Sequence, residues 1–479
     1  MAVYDINGTQ LSSVFDIDGN ELNVAYDIDG NIVFQKDNRP KLKSYRYFYP
    51  DDATDTYAIS DYRNFSMSAD TFLSLMYDDY VANPPEGITV TKRSLGKDST
   101  GQYDIWEYDF NPTNACRAIK LMSGEHVSEI TAQFGLAHLI KHIYRVKDND
   151  AFAYIRNYVR VRVVPIFNPW GTTRSPRSYG VYGGEESLSD SSYYSGRIYC
   201  GINPERNFTY GGLWENFSYS HDGGTADSPY NHKGDYPFQT AETRILAQWT
   251  MDDQENTDFL INCHTGEESN NRDVWIDYMT QTAAKDAILN AVQKNEVAFV
   301  NKFNQTPRTE VTGTSYPNET GYGMHGAWNM LCVKSTGFTL EQSPKNTRFG
   351  DGNNASAGAI NNYASVLSMY ILEGLLDKYQ NVYDSLHPND SIPITGISGQ
   401  NVSMGAEDYS ETVALTMTPS DTTQFTFDWV SSDASVCEVW GCTDQAVIVK
   451  RGTGTATITV TNKLNPLIST SFTVTVTDS

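Results

Sequence analysis

The chain has 479 residues, enough for roughly two to four domains, and carries 59 acidic against 35 basic side chains, a formal net charge of −24. That balance excludes a nucleic-acid surface, which needs clustered Lys and Arg to replace counterions, and reads instead as a solubilising surface charge. No apolar run approaches the ~20 residues that span a bilayer. Met1-Ala2-Val3-Tyr4-Asp5 lacks the basic and apolar parts of a secretory leader, and six cysteines are too few for a disulfide scaffold.

Residues 4–35 contain three copies of an eleven-residue unit: Tyr4-Asp5-Ile6-Asn7-Gly8, Phe15-Asp16-Ile17-Asp18-Gly19 and Tyr26-Asp27-Ile28-Asp29-Gly30. Each alternates apolar and polar residues around an Asn-Gly or Asp-Gly pair, the strongest short-range hairpin signal. The spacing departs from a calcium loop, and no Glu closes the twelfth place. Residues 1–36 are therefore expected to stack as β-hairpin turns used for attachment or oligomerisation. Between 37 and 115, a helical stretch around Met67–Tyr80 precedes strand-like alternation such as Trp106-Glu107-Tyr108-Asp109-Phe110.

Gly124-Glu125-His126-Val127-Ser128-Glu129 sets an imidazole and a carboxylate three residues apart. On the first turn of a helix this spacing points both side chains the same way, and zinc accepts neutral imidazole nitrogen together with carboxylate oxygen. Val127, Ile130, Phe134, Ala137 and Ile140 supply the helical period. Downstream come Val163-Val164-Pro165-Ile166-Phe167-Asn168-Pro169-Trp170-Gly171, an apolar strand entering a turn, and Gly201-Ile202-Asn203-Pro204-Glu205-Arg206-Asn207-Phe208. GDYPFQTAET (234–243) leads into a helix. Phe259-Leu260-Ile261-Asn262-Cys263-His264 and Gly337-Phe338-Thr339-Leu340-Glu341 are short apolar strands ending in His and Glu. Helices are expected at about Gln281–Phe303 and Ala359–Tyr379. Strands alternating with helices predict an α/β fold with a mixed central sheet flanked by helices.

This succession resembles the carboxypeptidase A-like family of zinc metallopeptidases, whose patterns are H-x-x-E, N-P-D-G, G-V-D-x-N-R-N-F, P-x-S-E-x-E, His-Ser at a strand end, and F-T-x-E. The resemblance spans about residues 40–380. It implies one Zn²⁺ held by His126, Glu129 and His264, with Glu341 as general base and proton shuttle. It implies that Arg206 holds a substrate carboxylate, with Glu205 standing where the family has Asn, so that an anion lies beside the expected anion site. Arg174 and Arg177 are both candidates for the Arg that polarises the scissile carbonyl, Arg177 being favoured by spacing. Glu319 occupies the position of the family's capping Tyr, bracketed by Tyr316 and Tyr322. The pocket floor falls near His325-Gly326-Ala327, which speaks against selection for Lys or Arg side chains. Cys263 should point away from the metal, since adjacent strand residues face opposite sides. Cys116, Cys200 and Cys332 read as buried thiols, and Cys437 and Cys442 lie close enough to pair. His138 and His142, a turn apart, read as helix-surface or packing residues.

From about Ile392 the chain becomes Thr/Val/Ser-rich, with strands expected at Thr412–Met417, Phe425–Trp429, Ala446–Lys450, Thr455–Val460 and Ser471–Val476, a small all-β sandwich. Leu415-Thr416-Met417-Thr418-Pro419, Trp429-Val430-Ser431-Ser432-Asp433 and Gly452-Thr453-Gly454-Thr455-Ala456-Thr457-Ile458-Thr459-Val460 resemble the bacterial Ig-like domain of group 2. Such domains adhere or space on bacterial surfaces and phage particles.

The expected domains are thus 1–36, 37–386 and 391–479. The functional readings are a metallocarboxypeptidase acting on a peptide, a zinc amidase or endopeptidase acting on peptidoglycan stem peptides, and a structural protein retaining the fold without the chemistry. The company of modules points to an extracellular or virion tail-associated protein, cytoplasmic before release, with a cell-surface or virion partner met through the Ig-like domain.

Overall fold

A strand pair opens the described chain: β1 (Val24–Tyr26), which ends on the first residue of the third repeat unit, pairs antiparallel with β2 (Ile32–Gln35). The computed structural model describes residues 24–26, 32–35, 69–115, 117–126, 129–145, 152–170, 192–194, 197–199, 202–212, 214–215, 233–264, 275–277, 328, 332–333, 336–341, 363–364, 367–368, 371, 375 and 392–478. The first two repeats and the helix expected at Gln281–Phe303 lie outside these residues.

The α/β body runs in the order α1 (Ala69–Ala82), β3 (Ile88–Lys97), β4 (Asp104–Pro112), β5 (Arg117–Ser123), α2 (Ile130–Tyr144), α3 (Ala153–Tyr158), β6 (Val159–Val164), a small hairpin β7 (Ser192–Tyr194) and β8 (Arg197–Tyr199), α4 (Ala241–Met251), β9 (Thr257–His264), β10 (Trp275–Asp277) and β11 (Thr336–Glu341). Seven of these strands make one sheet in the order β10-β11-β9-β5-β6-β4-β3. Its four middle strands β11, β9, β5 and β6 are parallel, while β10, β4 and β3 pair antiparallel at the flanks. The sheet is mixed, as the alternation of strands and helices predicts.

Parallel strands covered on both faces read as continuous apolar runs, and every residue of β9 is buried. One face packs Phe259, Ile261 and Cys263 with Ile119, Leu121, Val161 and Val163 under α2. Gly135 lets α2 close on Tyr363, since a Cβ there would meet that ring at 2.6 Å. Residues 363, 364, 367, 368, 371 and 375 are helical and buried on the same side, within the span where the period predicts a helix. The other face is covered by α4, whose N-cap is Thr240: its hydroxyl accepts from the Thr243 amide at 3.0 Å.

The C-terminal unit is all β. Its strands are β12 (Gly396–Ser398), β13 (Val402–Met404), β14 (Ser410–Ala414), β15 (Thr416–Thr418), β16 (Phe427–Ser431), β17 (Cys437–Trp440), β18 (Gln445–Lys450), β19 (Gly454–Asn462) and β20 (Ser469–Val476). A four-stranded sheet β13-β20-β19-β16, a three-stranded sheet β14-β18-β17 and the pair β12-β15 share one core around Phe427, Trp429, Ile448, Ile458, Phe472 and Val474. Four expected strands, Phe425–Trp429, Ala446–Lys450, Thr455–Val460 and Ser471–Val476, match β16, β18, β19 and β20 within two residues at each end. The expected Thr412–Met417 strand is divided into β14 and β15, and β12, β13 and β17 were not expected. Cys437 and Cys442 are free buried thiols, so the close pair is not a disulfide. Cys263 and Cys332 are likewise buried, whereas Cys116 and Cys200 lie outside the described residues.

Candidate metal centre

The site forms at the carboxyl ends of the parallel strands, where chain order reverses: β6 lies on one side of β5 and β9 on the other. Ligands of open α/β sheets bind at such a switch point. After β5 the backbone turns through Gly124 at φ +73°, where a Cβ would also press on Gln133 and on the backbone of Ile166. The Asn168-Pro169 turn braces this corner: the Phe167 amide donates to Ser123 O at 3.0 Å and the Asn168 amide to Gly124 O at 2.9 Å.

His126 and Glu129 do not occupy the first turn of α2. They lie in the turn before it, closed by a Glu129 amide bond to His126 O at 3.2 Å, and Glu129 is the helix N-cap. Its carboxylate makes no capping bond because it faces the imidazoles instead. The three-residue spacing still brings the pair together, since a single turn suffices.

The last residue of β9 completes the set. His126 Nδ1 is 3.0 Å from Glu129 Oε1, His264 Nδ1 is 2.9 Å from Glu129 Oε2, and the two Nδ1 atoms are 3.2 Å apart. A tetrahedral zinc ion about 2.0–2.1 Å from each donor would hold neighbouring donors roughly 3.3 Å apart. The donor set therefore fits zinc in both chemistry and spacing, and among the described residues it is the one cluster of three metal-ligating side chains.

The outer ring nitrogens agree. Metal-bound imidazoles generally hold their second nitrogen on an oxygen. His126 Nε2 lies 3.3 Å from Asn203 Oδ1 and 3.4 Å from Glu205 Oε2, and His264 Nε2 lies 3.3 Å from Glu125 Oε2. Asn262 donates to the same Glu125 oxygen at 2.5 Å. Asn203, Glu125 and Asn262 were not among the residues expected at the site. The available signal was an acidic residue directly before a ligand His at the end of a buried strand.

Burial alone would favour neutral rings. For His264 the neighbouring Glu129 and Glu125 outweigh it, and its pKa is raised well above the ordinary value. His126 is raised in the same way, against burial, by Glu129 and Glu205. Burial pushes Glu129 up, but the two imidazoles outweigh it and hold the carboxylate below its ordinary range. The carboxylates thus favour positive charge at this point, which a divalent ion supplies in place of protons.

Glu341 ends β11, and its backbone pairs with His264 across the parallel ladder. Arg206 sits in the one-turn 3-10 segment Pro204–Arg206, whose N-cap Asn203 accepts from the Glu205 amide at 3.1 Å. Arg206 and Glu205 are both buried and form an ion pair, Nη1 to Oε2 at 2.6 Å. The anion beside Arg206 is therefore paired. Arg174, Arg177, Tyr316, Tyr322, His325 and Gly326 lie outside the described residues. Cys263 falls on the opposite face from His264, against the apolar core, and burial pushes its thiol up to about 12. His138 and His142 are buried in α2 with their Nε2 atoms 3.1 Å apart, which is packing within the helix bundle rather than surface.

Three convergent ligands on the edge of a mixed α/β sheet define a single-metal hydrolytic centre. The profile of the zinc carboxypeptidase family, Peptidase_M14, matches residues 78–364, and the chain belongs to that family. It is a zinc-dependent metallopeptidase. Among solved structures, the chain is similar to bovine thrombin-activatable fibrinolysis inhibitor in complex with tick carboxypeptidase inhibitor, at 17% identity and TM-score 0.45, covering 65% of this chain and 95% of that one. Carboxypeptidase A from Helicoverpa armigera is 13% identical with TM-score 0.48, covering 67% and 80%. A metallo-carboxypeptidase from Burkholderia cenocepacia is 13% identical with TM-score 0.41, covering 63% and 68%. No curated protein matches the chain.

Proposed function

We propose that this protein cleaves C-terminal peptide bonds, with Glu341 as the general base. The observation that carries the reading is the convergence of His126, Glu129 and His264, with Glu341 register-paired to His264 at the same sheet edge. Zinc bound there supplies Lewis acidity, polarising a carbonyl and acidifying water. In this reading the Glu341 carboxylate takes a proton from the attacking water and hands it to the leaving amine. Asn203, Glu205 and Glu125 keep the two imidazoles oriented through their outer nitrogens. Arg206 meets the substrate carboxylate, Arg174 or Arg177 the scissile carbonyl, and Tyr316 or Tyr322 caps the chain over a floor at His325 and Gly326. Glu341→Gln is the test: it is expected to keep zinc and lose at least ~10²-fold in turnover. Near-normal turnover would move the base elsewhere. A wild type that binds zinc yet cleaves no peptide would favour the structural reading.

A second reading, an amidase or endopeptidase acting on peptidoglycan stem peptides, is favoured by the Glu205–Arg206 pair. A guanidinium already matched by a buried carboxylate has less charge to offer a substrate carboxylate. If Arg206 anchors a free terminus, Arg206→Ala will slow hydrolysis of a free-acid peptide by about ten- to a hundredfold relative to its C-terminal amide. Equal wild-type rates on acid and amide reject the carboxypeptidase form and leave the second reading.

We also propose that residues 391–479 are a group 2 bacterial Ig-like domain, that 1–36 are an attachment segment, and that the protein works outside the cell or on a virion tail. The motif strings and the acid excess of both flanks support this. Residues 1–35 hold six acidic and no basic residues, and those from 388 onward hold ten acidic and three basic. Peptide mass spectrometry of purified particles and culture supernatant tests it, and recovery from the cytosol of intact cells alone would reject it.

A further inference from the structure

The C-terminal unit is packed onto the metallopeptidase body. Cys442, Val447 and Val449 enter the same buried cluster as Phe208, Phe238 and Trp328. Polar contacts tie the same seam: Gly211 N donates to Thr412 Oγ1 at 2.9 Å, and Thr443 Oγ1 to Cys332 O at 2.6 Å.

The centre of this seam is Phe238. It is one of two non-glycine residues with positive φ among those described, at +55°, a region that bulky side chains avoid unless their surroundings enforce it. Trp440 of the C-terminal unit stacks flat on its ring, centroids 5.2 Å apart and planes within 10°. Arg451 donates to the carbonyls of Pro237 and Phe238 at 3.3 and 3.4 Å while pairing with Glu438 at 2.7 Å. On its other side Phe238 meets Phe208 edge-on at 5.3 Å, and its amide donates to Asn207 O at 2.7 Å. Asn207 in turn binds the carbonyls of Lys233 and Tyr236 and the amide of Gln239. Asn207 directly follows the Asn203–Arg206 turn that contacts His126.

We infer that the C-terminal β unit is a positioning element of the hydrolytic site: Trp440 and Arg451 hold Phe238, and Phe238 holds the Asn203–Phe208 segment against the zinc ligands and substrate. The part about substrate rests on the peptidase reading above, and the part about the segment does not. A β unit serving only as an adhesive or spacer would have no need of this seam.

The test uses full-length, zinc-loaded protein carrying Trp440→Ala or Arg451→Met. Hydrogen exchange is read at the amides of Glu205, Arg206 and Asn207, each bonded within the segment. Protection there is expected to fall about tenfold. KM is expected to rise about two- to tenfold, the range of one aromatic pair, with kcat and zinc content within twofold. Trp440→Phe will restore both readouts. Phe472→Leu, in the sheet away from the seam, lowers stability without changing either, and Leu467→Ser, at a 92% exposed position, changes nothing. Unchanged exchange at residues 205–207 in both seam variants overturns the inference. Should Trp440→Ala fail to fold, Trp440→Leu and Arg451→Met decide it. A wild type inactive on peptides would sink the peptidase reading while leaving the exchange result to judge this one.

Discussion

The two faces of the central sheet alternate along β9 residue by residue, yet they are built from different materials. Phe259, Ile261 and Cys263 join a core of aliphatic and aromatic side chains beneath α2. Leu260, Asn262 and His264 face the other way, in line with Lys120 and Met122 of β5 and Arg162 and Val164 of β6. On that second face Arg162 bonds Glu107 at 2.6 Å and Asp252 at 2.7 Å, and Trp249 donates to the same Glu107 oxygen at 2.6 Å. The apolar face is held by burial, which is insensitive to direction. The second face also buries an apolar cluster, with Met122, Val164 and Leu260 against Leu246 and Trp249, and adds fixed polar partners to it, because a buried charge is tolerated only when paired. The second face supplies the third metal ligand, His264, at the carboxyl end of β9, while His126 and Glu129 come from the turn before α2.

The sharpest break of this comparison uses neighbours in sequence. His264→Ala is expected to abolish both stoichiometric zinc and hydrolysis, because the third ligand is lost. Cys263→Ala, one residue away but on the apolar face, should keep full zinc and activity and cost about 1–2 kcal/mol of stability as lost burial. Full zinc occupancy in the His264 variant would sink the ligand assignment. Loss of zinc in the Cys263 variant would show that the faces are not independent.

A smaller effect tests whether orientation matters as well as ligation. Glu125 is fully buried and accepts from Asn262 while meeting His264 Nε2. Glu125→Gln preserves shape but weakens the acceptor, and zinc affinity is expected to fall about 10- to 100-fold. Competition against a chelator of known affinity reads this directly. An unchanged affinity would mean that β9 geometry alone orients the ring.

These two levels differ in how far the sequence disclosed them. The strands ending at His264 and Glu341 were legible as short apolar runs, and the metal roles of His126, Glu129 and His264 were legible through the order of motifs that resembles zinc carboxypeptidases, whereas the turn before α2 was expected as the first turn of the helix. Most of the sandwich was legible from alternating runs, but the short strands β12, β13 and β17 were not. Glu125, Asn203 and Asn262 were not: their roles depend on β5, β9 and the Pro204–Arg206 turn meeting in space, and separations of 77 to 139 residues carry no local signal. The seam around Trp440 and Phe238 was hidden likewise. Phe238 and Trp440 lie 202 residues apart with no local signal to pair them, and the expected spacer role gave no reason to look for a partner within the chain.

The smallest effect sharpens the contrast by titration. Lys120 is buried on the polar face, its Nζ donating to the carbonyls of Trp249, Thr250 and Asp252 at the end of α4. Burial, with Arg162 nearby, pushes its pKa down from 10.5 to about 7 against the opposing pull of Asp252, Asp253 and Glu107. Between those two values the unfolded chain keeps a proton that the folded protein has released. Stability therefore rises with pH through this window, by at most about 1.4 kcal/mol per unit for one proton. Below pH 7 both states are protonated and the cost of the buried ammonium is constant. Buried Cys263 and Cys442, both pushed up to about 12, act with opposite sign once unfolded thiols ionise near 9, so the useful range is pH 7 to 8.5. Lys120→Met changes the packing and leaves three carbonyls without their donor, so its absolute stability is not the readout. The slope is. Urea midpoints at pH 7.0, 7.75 and 8.5 are read on zinc-loaded protein, because the raised His126 and His264 of the metal-free protein would lose stability over the same range. The wild type will climb more steeply than the variant, and parallel curves would mean that the three carbonyls keep the folded ammonium charged throughout.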